Sequence, residues 1–389
     1  MSAKRKEKAT PPAVFTAEAA TADLLRAVSK VAAVVEPRNT IPILNFVEIA
    51  VDFSTIAVSG TDLDMEVRVE IEGSGEGALC LPAFRLRDFL QAASHVERVS
   101  LTINETGVVE VTAGDFSATM FPLPAADFPR LQIGSKAWDA NLAEGVVQFL
   151  FGGVTHAISR EETRYYLNGV CLEVKDGTLI AVATDGHRLA KRETNLGSGA
   201  TDQPSVIVPR KAVALSLGYA GKGEASFAIH KTADDKRTGY AEITANGVRV
   251  RTKLIDGTYP DWRHVVPVPS NTVIEIDTKA LRRALRATAT SSEGRRVRAT
   301  KIEVAADSAT LSSQCPGLGE ARVRVACEAG GPIPIVGING RYLDNAAAEL
   351  ERVGSKTVRI HVTDPASPIR IVPDAAIPGV LNVIMPMRI

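Results

Sequence analysis

The chain predicts an α+β protein of three repeated domains, each with two helices packed on antiparallel sheets. Three observations predict this. The order of elements recurs at a period of roughly 120 residues, the size of a domain rather than of a solenoid unit. Within each copy the apolar spacing changes from helical to strand period at corresponding points. Pro-rich stretches, Pro122 to Pro129 and Pro260 to Pro269, separate the copies and cannot continue a central strand. The expected divisions are a disordered basic tail (1–13), domain 1 (14–135), domain 2 (136–268) and domain 3 (269–389).

Each copy opens on a short strand and an amphipathic helix. The first helix spans about Thr21 to Val34, with Leu24, Leu25, Val28 and Val31 on one face. The second spans about Ala143 to Ile158, with Val146, Val147, Leu150 and Val154. The third starts at Thr278 and carries Leu281 and Leu285. Alternating strands around a turn follow: Phe46 to Val58, Val170 to Ala183 about Asp176-Gly177, and Lys301 to Leu311 about Asp307-Ser308. A short apolar strand then leads into a second helix, within Leu79 to Ala93, Val206 to Leu217 and Ile335 to Leu350. Closing strand series lie in Val99 to Met120, Ala225 to Leu254 and Val358 to Met387.

Composition narrows the function. The 389 residues hold 45 Lys plus Arg against 45 Asp plus Glu, a formal net charge of zero. Coating of nucleic acid by bulk charge is therefore disfavoured, whereas a basic face balanced by an acidic one is allowed. Apolar runs fall far short of the ~20 residues that span a bilayer. The tail, with Lys4, Arg5, Lys6 and Lys8, lacks the apolar core of a secretory signal. The four cysteines form no CxxC pair and the six histidines no HExxH pair. The expectation is a reduced, cytoplasmic protein with no metal, no cofactor and no membrane partner.

The third-copy helix is the most informative segment. Lys279, Arg282, Arg283 and Arg286 fall at i, i+3, i+4 and i+7, and no acid occurs between Lys279 and Thr290 to supply i, i+4 partners. A single-sign stripe in a chain of zero net charge means sorted charge, and its natural partner is a polyanion. Arg26, Lys30 and Arg38 repeat the feature weakly in the first copy. Arg85 and Arg87, Arg210 and Lys211, and Arg341 add cations to the second helices. Arg164-Tyr165-Tyr166 supplies a cation and two rings, although tyrosines opening a strand usually serve sheet packing. No zinc-finger, helix-turn-helix or RNP pattern occurs, so backbone contact is expected rather than base reading.

Several segments, in this order, carry a specific resemblance. They are Thr40-Ile-Pro-Ile-Leu44, Gly60-Thr-Asp-Leu-Asp-Met-Glu66, Pro124-Ala-Ala-Asp-Phe-Pro129, Arg164-Tyr-Tyr-Leu-Asn-Gly169 and Val182-Ala-Thr-Asp-Gly-His-Arg-Leu-Ala190. Val206-Ile-Val-Pro-Arg-Lys211, Asp256-Gly-Thr-Tyr-Pro-Asp-Trp-Arg263 and Val383-Ile-Met-Pro-Met-Arg-Ile389 complete the set. From about Phe15 to the last residue the chain resembles the bacterial replicative sliding clamps, the beta subunits of DNA polymerase III.

The resemblance implies a head-to-tail homodimer closing a six-domain ring, with helices lining the hole and sheets outside. Double-stranded DNA would pass through without base reading. Its contacts would come from Arg26, Lys30, Arg38, Arg164, Tyr165, Tyr166, Arg210, Lys211, Lys279, Arg282, Arg283 and Arg286. The DNA polymerase III catalytic subunit, the clamp loader, and other polymerases and repair proteins would dock short peptides in a pocket. Its walls would be Leu167, Thr184, Gly186, His187, Arg188, Leu189, Pro260, His264 and Val265, with Asn339, Tyr342, Val383, Met385, Pro386, Met387 and Arg388. At the dimer joint the resemblance places Phe116, Ala118, Ala289 and Thr290, the last three where the family commonly carries larger aliphatics. The implied role is a processivity factor without catalysis. The alternative from another class is a hydrolase using Asp185 and His187, although a GxSxG elbow and a phosphate loop are absent.

Overall fold

A computed structural model describes residues 14–197, 200–221, 223–291, 299–315, 317, 319–374 and 377–388. The basic tail expected at 1–13 lies outside these. The chain forms two compact units, one reaching Asp139 and taking in Ser226–Lys253, the other formed by Ala140–Ala225 with Leu254 onward.

In the first unit the strand Thr16–Ala20 leads into helix α1 (Thr21–Ala32), which buries Leu24, Ala27, Val28 and Val31. Helix α2 (Ala83–Ala92) packs beside it and buries Leu86 and Leu90. The long hairpin Phe46–Thr61 and Met65–Pro82 forms the backbone of the sheet. The strand Val248–Lys253 pairs antiparallel with this hairpin, Val250 opposite Val67. The strands Ala225–Thr232 and Thr238–Ala245 continue from it. The closing strands of the second copy thus extend the sheet of the first, which is why the compact unit crosses the second repeat. At the opposite edge lies Phe116–Met120.

The segment Gly73 to Gly77 shows why glycine is needed where backbones meet. Gly75 has φ +133°, and a Cβ there would sit 2.0 Å from the Thr16 carbonyl oxygen. Gly107 also has positive φ, +79°, but a Cβ there would meet open space. Gly75→Ala is therefore expected to destabilise by about 1–3 kcal/mol more than Gly107→Ala, because only the former adds a clash to the backbone strain. Urea-unfolding midpoints of the two variants check this; equal shifts would remove the close approach from the argument.

The second unit contains a nine-stranded antiparallel sheet. Its order is Gln203–Pro209, Gly169–Lys175, Thr178–Thr184, Arg188–Asn195, Val380–Ile384, Ile369–Pro373, Thr357–His361, Val273–Asp277 and Glu328–Gly330. The Asp176-Gly177 turn has φ of +49° and +72°, the positive pair that a tight two-residue hairpin requires. Helices α3 (Arg210–Ala220), α4 (Thr278–Thr288) and α5 (Gly340–Arg352) belong here. Asp277 caps α4 by accepting the Ala280 N–H at 2.8 Å, and Asn339 caps α5 by accepting that of Arg341 at 3.1 Å. Leu281, Leu285, Leu343 and Leu350 from α4 and α5 share one core with Ile302, Ile338 and Ile360. A separate four-stranded sheet runs Gly319–Ala326, Ser308–Cys315, Ala299–Val304 and Val336–Asn339.

Two local expectations are corrected. The helix predicted at about Ala143 to Ile158 is not regular: Gln148–Gly152 forms a π turn and Thr155–Ala157 a 3₁₀ turn. The irregularity coincides with Gly152-Gly153, where helical preference is weakest. Arg164-Tyr165-Tyr166 does not open a strand but lies in a 3₁₀ segment, Glu162–Leu167. Asn168 closes that segment, its side-chain amide donating to the Glu161 carbonyl at 3.1 Å and its N–H to that of Tyr165 at 3.0 Å. No helix among the described residues is long and apolar enough to cross a membrane.

Candidate functional site

A groove of about 280 Å³ opens in the second unit on one face of the nine-stranded sheet. Its floor comes from paired strands: Leu189 lies opposite Thr184 on one side and opposite Val383 on the other. Leu167 and Tyr166 enter from the 3₁₀ segment, and Pro260, Asp261, Trp262 and Val265 from the chain that follows. Leu167, Leu189 and Val383 belong to a core cluster with Ile180, Val182, Leu381 and Tyr259, so the floor is rigid.

The turn Asp185-Gly186-His187 sets one wall. Gly186 has φ +86°. Asp185 Oδ1 accepts the N–H groups of His187 and Arg188 at 3.0 and 3.1 Å, and Oδ2 accepts Arg188 Nε at 3.0 Å. Thr184 Oγ1 donates to the Arg188 carbonyl at 2.6 Å, and the Thr184 N–H donates to the Tyr259 hydroxyl at 3.0 Å. Burial raises the pKa of that phenol, so it stays neutral. Arg188 stacks over the Tyr342 ring at 4.2 Å, and Trp262 has the Arg263 guanidinium over its face at 4.5 Å. Both oxygens of Asp185 are thus spent on the turn and on Arg188. The hydrolase alternative loses its acid–His pair, because this carboxylate orients backbone rather than imidazole.

Nine of the expected pocket residues line the groove: Leu167, Thr184, Gly186, Arg188, Leu189, Pro260, Val265, Val383 and Met385. The others sit around it. His187 is exposed, and its carbonyl accepts the Met385 N–H at 2.9 Å. Tyr342 lies beneath Arg188, and Asn339 is the α5 cap. The His264 side chain is 83 % exposed, 3.6 Å from Asp261. Met387 is tied by its N–H to the Gly337 carbonyl at 2.8 Å; beside it, Pro386 is half-buried and Arg388 exposed. Trp262, Asp261, Arg164 and Tyr166 also line the groove, although the resemblance does not place them there and expects the last two at DNA. An aromatic-cation pair inside a Pro-rich crossing, Trp262-Arg263, was the available signal.

The cationic side chains divide by unit. In the first, Arg26 is exposed and pairs with Asp23, Arg38 is exposed beyond α1, and burial together with Arg26 lowers the pKa of Lys30. In the second, Arg210 is exposed and Lys211 half-buried on the first turn of α3. On α4, Lys279, Arg283 and Arg286 are exposed, and none has an acid partner among the described residues. Arg282 departs from the expected stripe. It is half-buried, its Nε bonds Asp344 at 3.2 Å, and its other end pairs with Glu351. The local search for i, i+4 acids missed these because both stand on α5.

A repeated helix-on-sheet scaffold, an apolar groove and a cationic row without acid partners among the described residues are the features of a docking and tethering protein. Family models of the DNA polymerase III beta subunit match the N-terminal domain at residues 15–132, the central domain at 141–261 and the C-terminal domain at 263–388. The chain is 31 % identical to the beta sliding clamp of Pseudomonas aeruginosa over 371 residues, covering 94 % of this chain and 98 % of that one. It is 32 % identical to that of Caulobacter vibrioides over 377 residues, covering 95 % and 98 %. The crystal structure of the P. aeruginosa sliding clamp with ligand superposes with a TM-score of 0.86 at 28 % identity, covering 96 % of this chain and all of that one. A C. crescentus clamp with bound PEG gives 0.85 at 30 % identity, covering 97 % and 100 %. The chain belongs to the DNA polymerase III beta subunit family, the bacterial sliding clamps, which are non-catalytic processivity factors of DNA replication.

Proposed function

We propose that two copies of this chain join head to tail around double-stranded DNA in the cytoplasm. The ring tethers the DNA polymerase III catalytic subunit through a peptide held in the groove. A clamp loader places it, and other polymerases and repair proteins compete for the same groove. The observation that carries the DNA part is the exposed row Lys279, Arg283 and Arg286 on α4, without acid partners among the described residues, in a chain of zero net charge. Such a row neutralises phosphates and reads no base. In the groove, apolar floor and charged rim suit a short peptide with aliphatic or aromatic anchors, each worth about 1.5–3 kcal/mol when fully buried. The test is ATP-dependent loading onto nicked circular DNA. Loaded protein should be retained on the circle and released on linearisation; retention on linear DNA would sink the topological reading.

The dimer joint is proposed at two sheet edges, Phe116–Met120 on one copy and Gly319–Ala326 on the other. Phe116 is 37 % exposed and packs edge-on against His95, ring centroids 5.3 Å apart. Edge-strand hydrogen bonds supply register and affinity, but Ala118, Ala289 and Thr290 bring little apolar bulk. With each missing buried methylene worth about 0.8 kcal/mol, the dimer is expected to dissociate more readily than clamps with larger aliphatics there. Sedimentation velocity over a dilution series checks it, and a dimer persisting to picomolar concentration would overturn it.

A further inference from the structure

Behind the groove floor, the strand Arg188–Asn195 turns its other face toward the irregular helix at 146–157. Side chains alternate along a strand, so Arg188, Ala190 and Arg192 share that face, and Asn382 joins it as the partner of Ala190. Arg192 is fully buried. It lies against Gly153, where a Cβ would come within 2.4 Å of Nε; the glycine makes room for the guanidinium. Nη1 donates to the Lys191 carbonyl at 2.8 Å. Nε and Nη2, the parallel edge of the fork, have no acceptor among the described residues.

No acid among the described residues pairs with this charge. Glu349 favours it from a distance, but its carboxylate accepts Arg352 Nε at 2.7 Å. His156, half-buried on the facing turn, is held neutral by desolvation and by Arg188 and Arg192. Asn382 is 1 % exposed and neither of its amide atoms has a partner among the described residues. Burial brings Arg192 down to about 10, so it remains a cation at neutral pH. A buried cation with an unanswered two-donor edge demands a counter-charge, and that edge is the geometry that grips anions.

We propose that the Nε–Nη2 edge of Arg192, with the Asn382 amide beside it, binds one monatomic anion, chloride under ordinary conditions. A monatomic ion is the smallest species that supplies the missing charge to a two-donor edge. The anion holds the strand behind Leu189 in place from its reverse face.

Crystals of the full chain soaked in bromide should show an anomalous peak in contact with Arg192 Nε and Nη2. In solution, with gluconate replacing chloride at fixed ionic strength, the melting temperature should climb with chloride, gaining a constant increment per tenfold rise above saturation. Arg192→Met should abolish both the peak and the climb. If that variant does not fold, the parent's map and melting series decide alone. Ordered water without a bromide peak overturns the proposal, and so does a peak without any chloride dependence in solution.

Discussion

Charge reversal of Lys279, Arg283 and Arg286 together is expected to weaken DNA association sharply and flatten its salt dependence. Each phosphate contact contributes about 0.9 to the slope of log K against log salt, so three lost contacts in each of the two chains should remove up to about 5.4. Base preference should not change, because backbone contacts carry no sequence information. Arg282 provides the internal contrast. Held between Asp344 and Glu351, it organises the α4–α5 pair, and Arg282→Glu would place three carboxylates together. That variant should lower the melting temperature and change the salt slope by less than any one of the other three. Binding to nicked circles over a salt series, paired with thermal melts, separates the two roles. A triple variant keeping the parent slope would show that this helix face does not meet DNA.

The contrast marks how far sequence reasoning reached. Element order, the Asp176-Gly177 turn and the cationic row on α4 were legible because each is encoded within a few residues, by period or by turn chemistry. The pairing of Arg282 was not, since Asp344 and Glu351 stand 62 and 69 residues downstream. Strand pairing is equally non-local: nothing in Val248–Lys253 itself says that it will add to the hairpin of the first copy. The groove was half legible. The motif carrying Thr184, Arg188 and Leu189 identified its floor, while Trp262 escaped because its role depends on the crossing segment that brings it over the sheet. Arg164 and Tyr166 stand where the sequence pattern suggests a strand opening, and their place in the groove comes from the 3₁₀ segment, which that pattern does not show.

Removal of the last five residues, from Met385 onward, is expected to abolish binding of clamp-binding peptides while leaving the dimer assembled. Met385 lines the groove and is 39 % exposed, ready to cover an incoming apolar anchor. Its N–H bonds the His187 carbonyl and that of Met387 the Gly337 carbonyl, so the deletion removes a wall and the two ties that hold it. Flexible thioethers adapt to several related peptides, which explains a methionine rather than a branched residue at the mouth. Losing a well-packed anchor contact costs about 2–4 kcal/mol, or roughly 30-fold to 1,000-fold in Kd. Met385→Ala should give the lower part of that range, because the backbone ties remain. His264→Ala should change affinity little, its side chain being largely solvent-exposed and outside the groove. Fluorescence titration of a labelled peptide carrying aliphatic anchors ranks the three variants. Unchanged affinity in the deletion would remove the C-terminus from the site, and a large loss in His264→Ala would shift the groove toward the exposed turn beside Asp261.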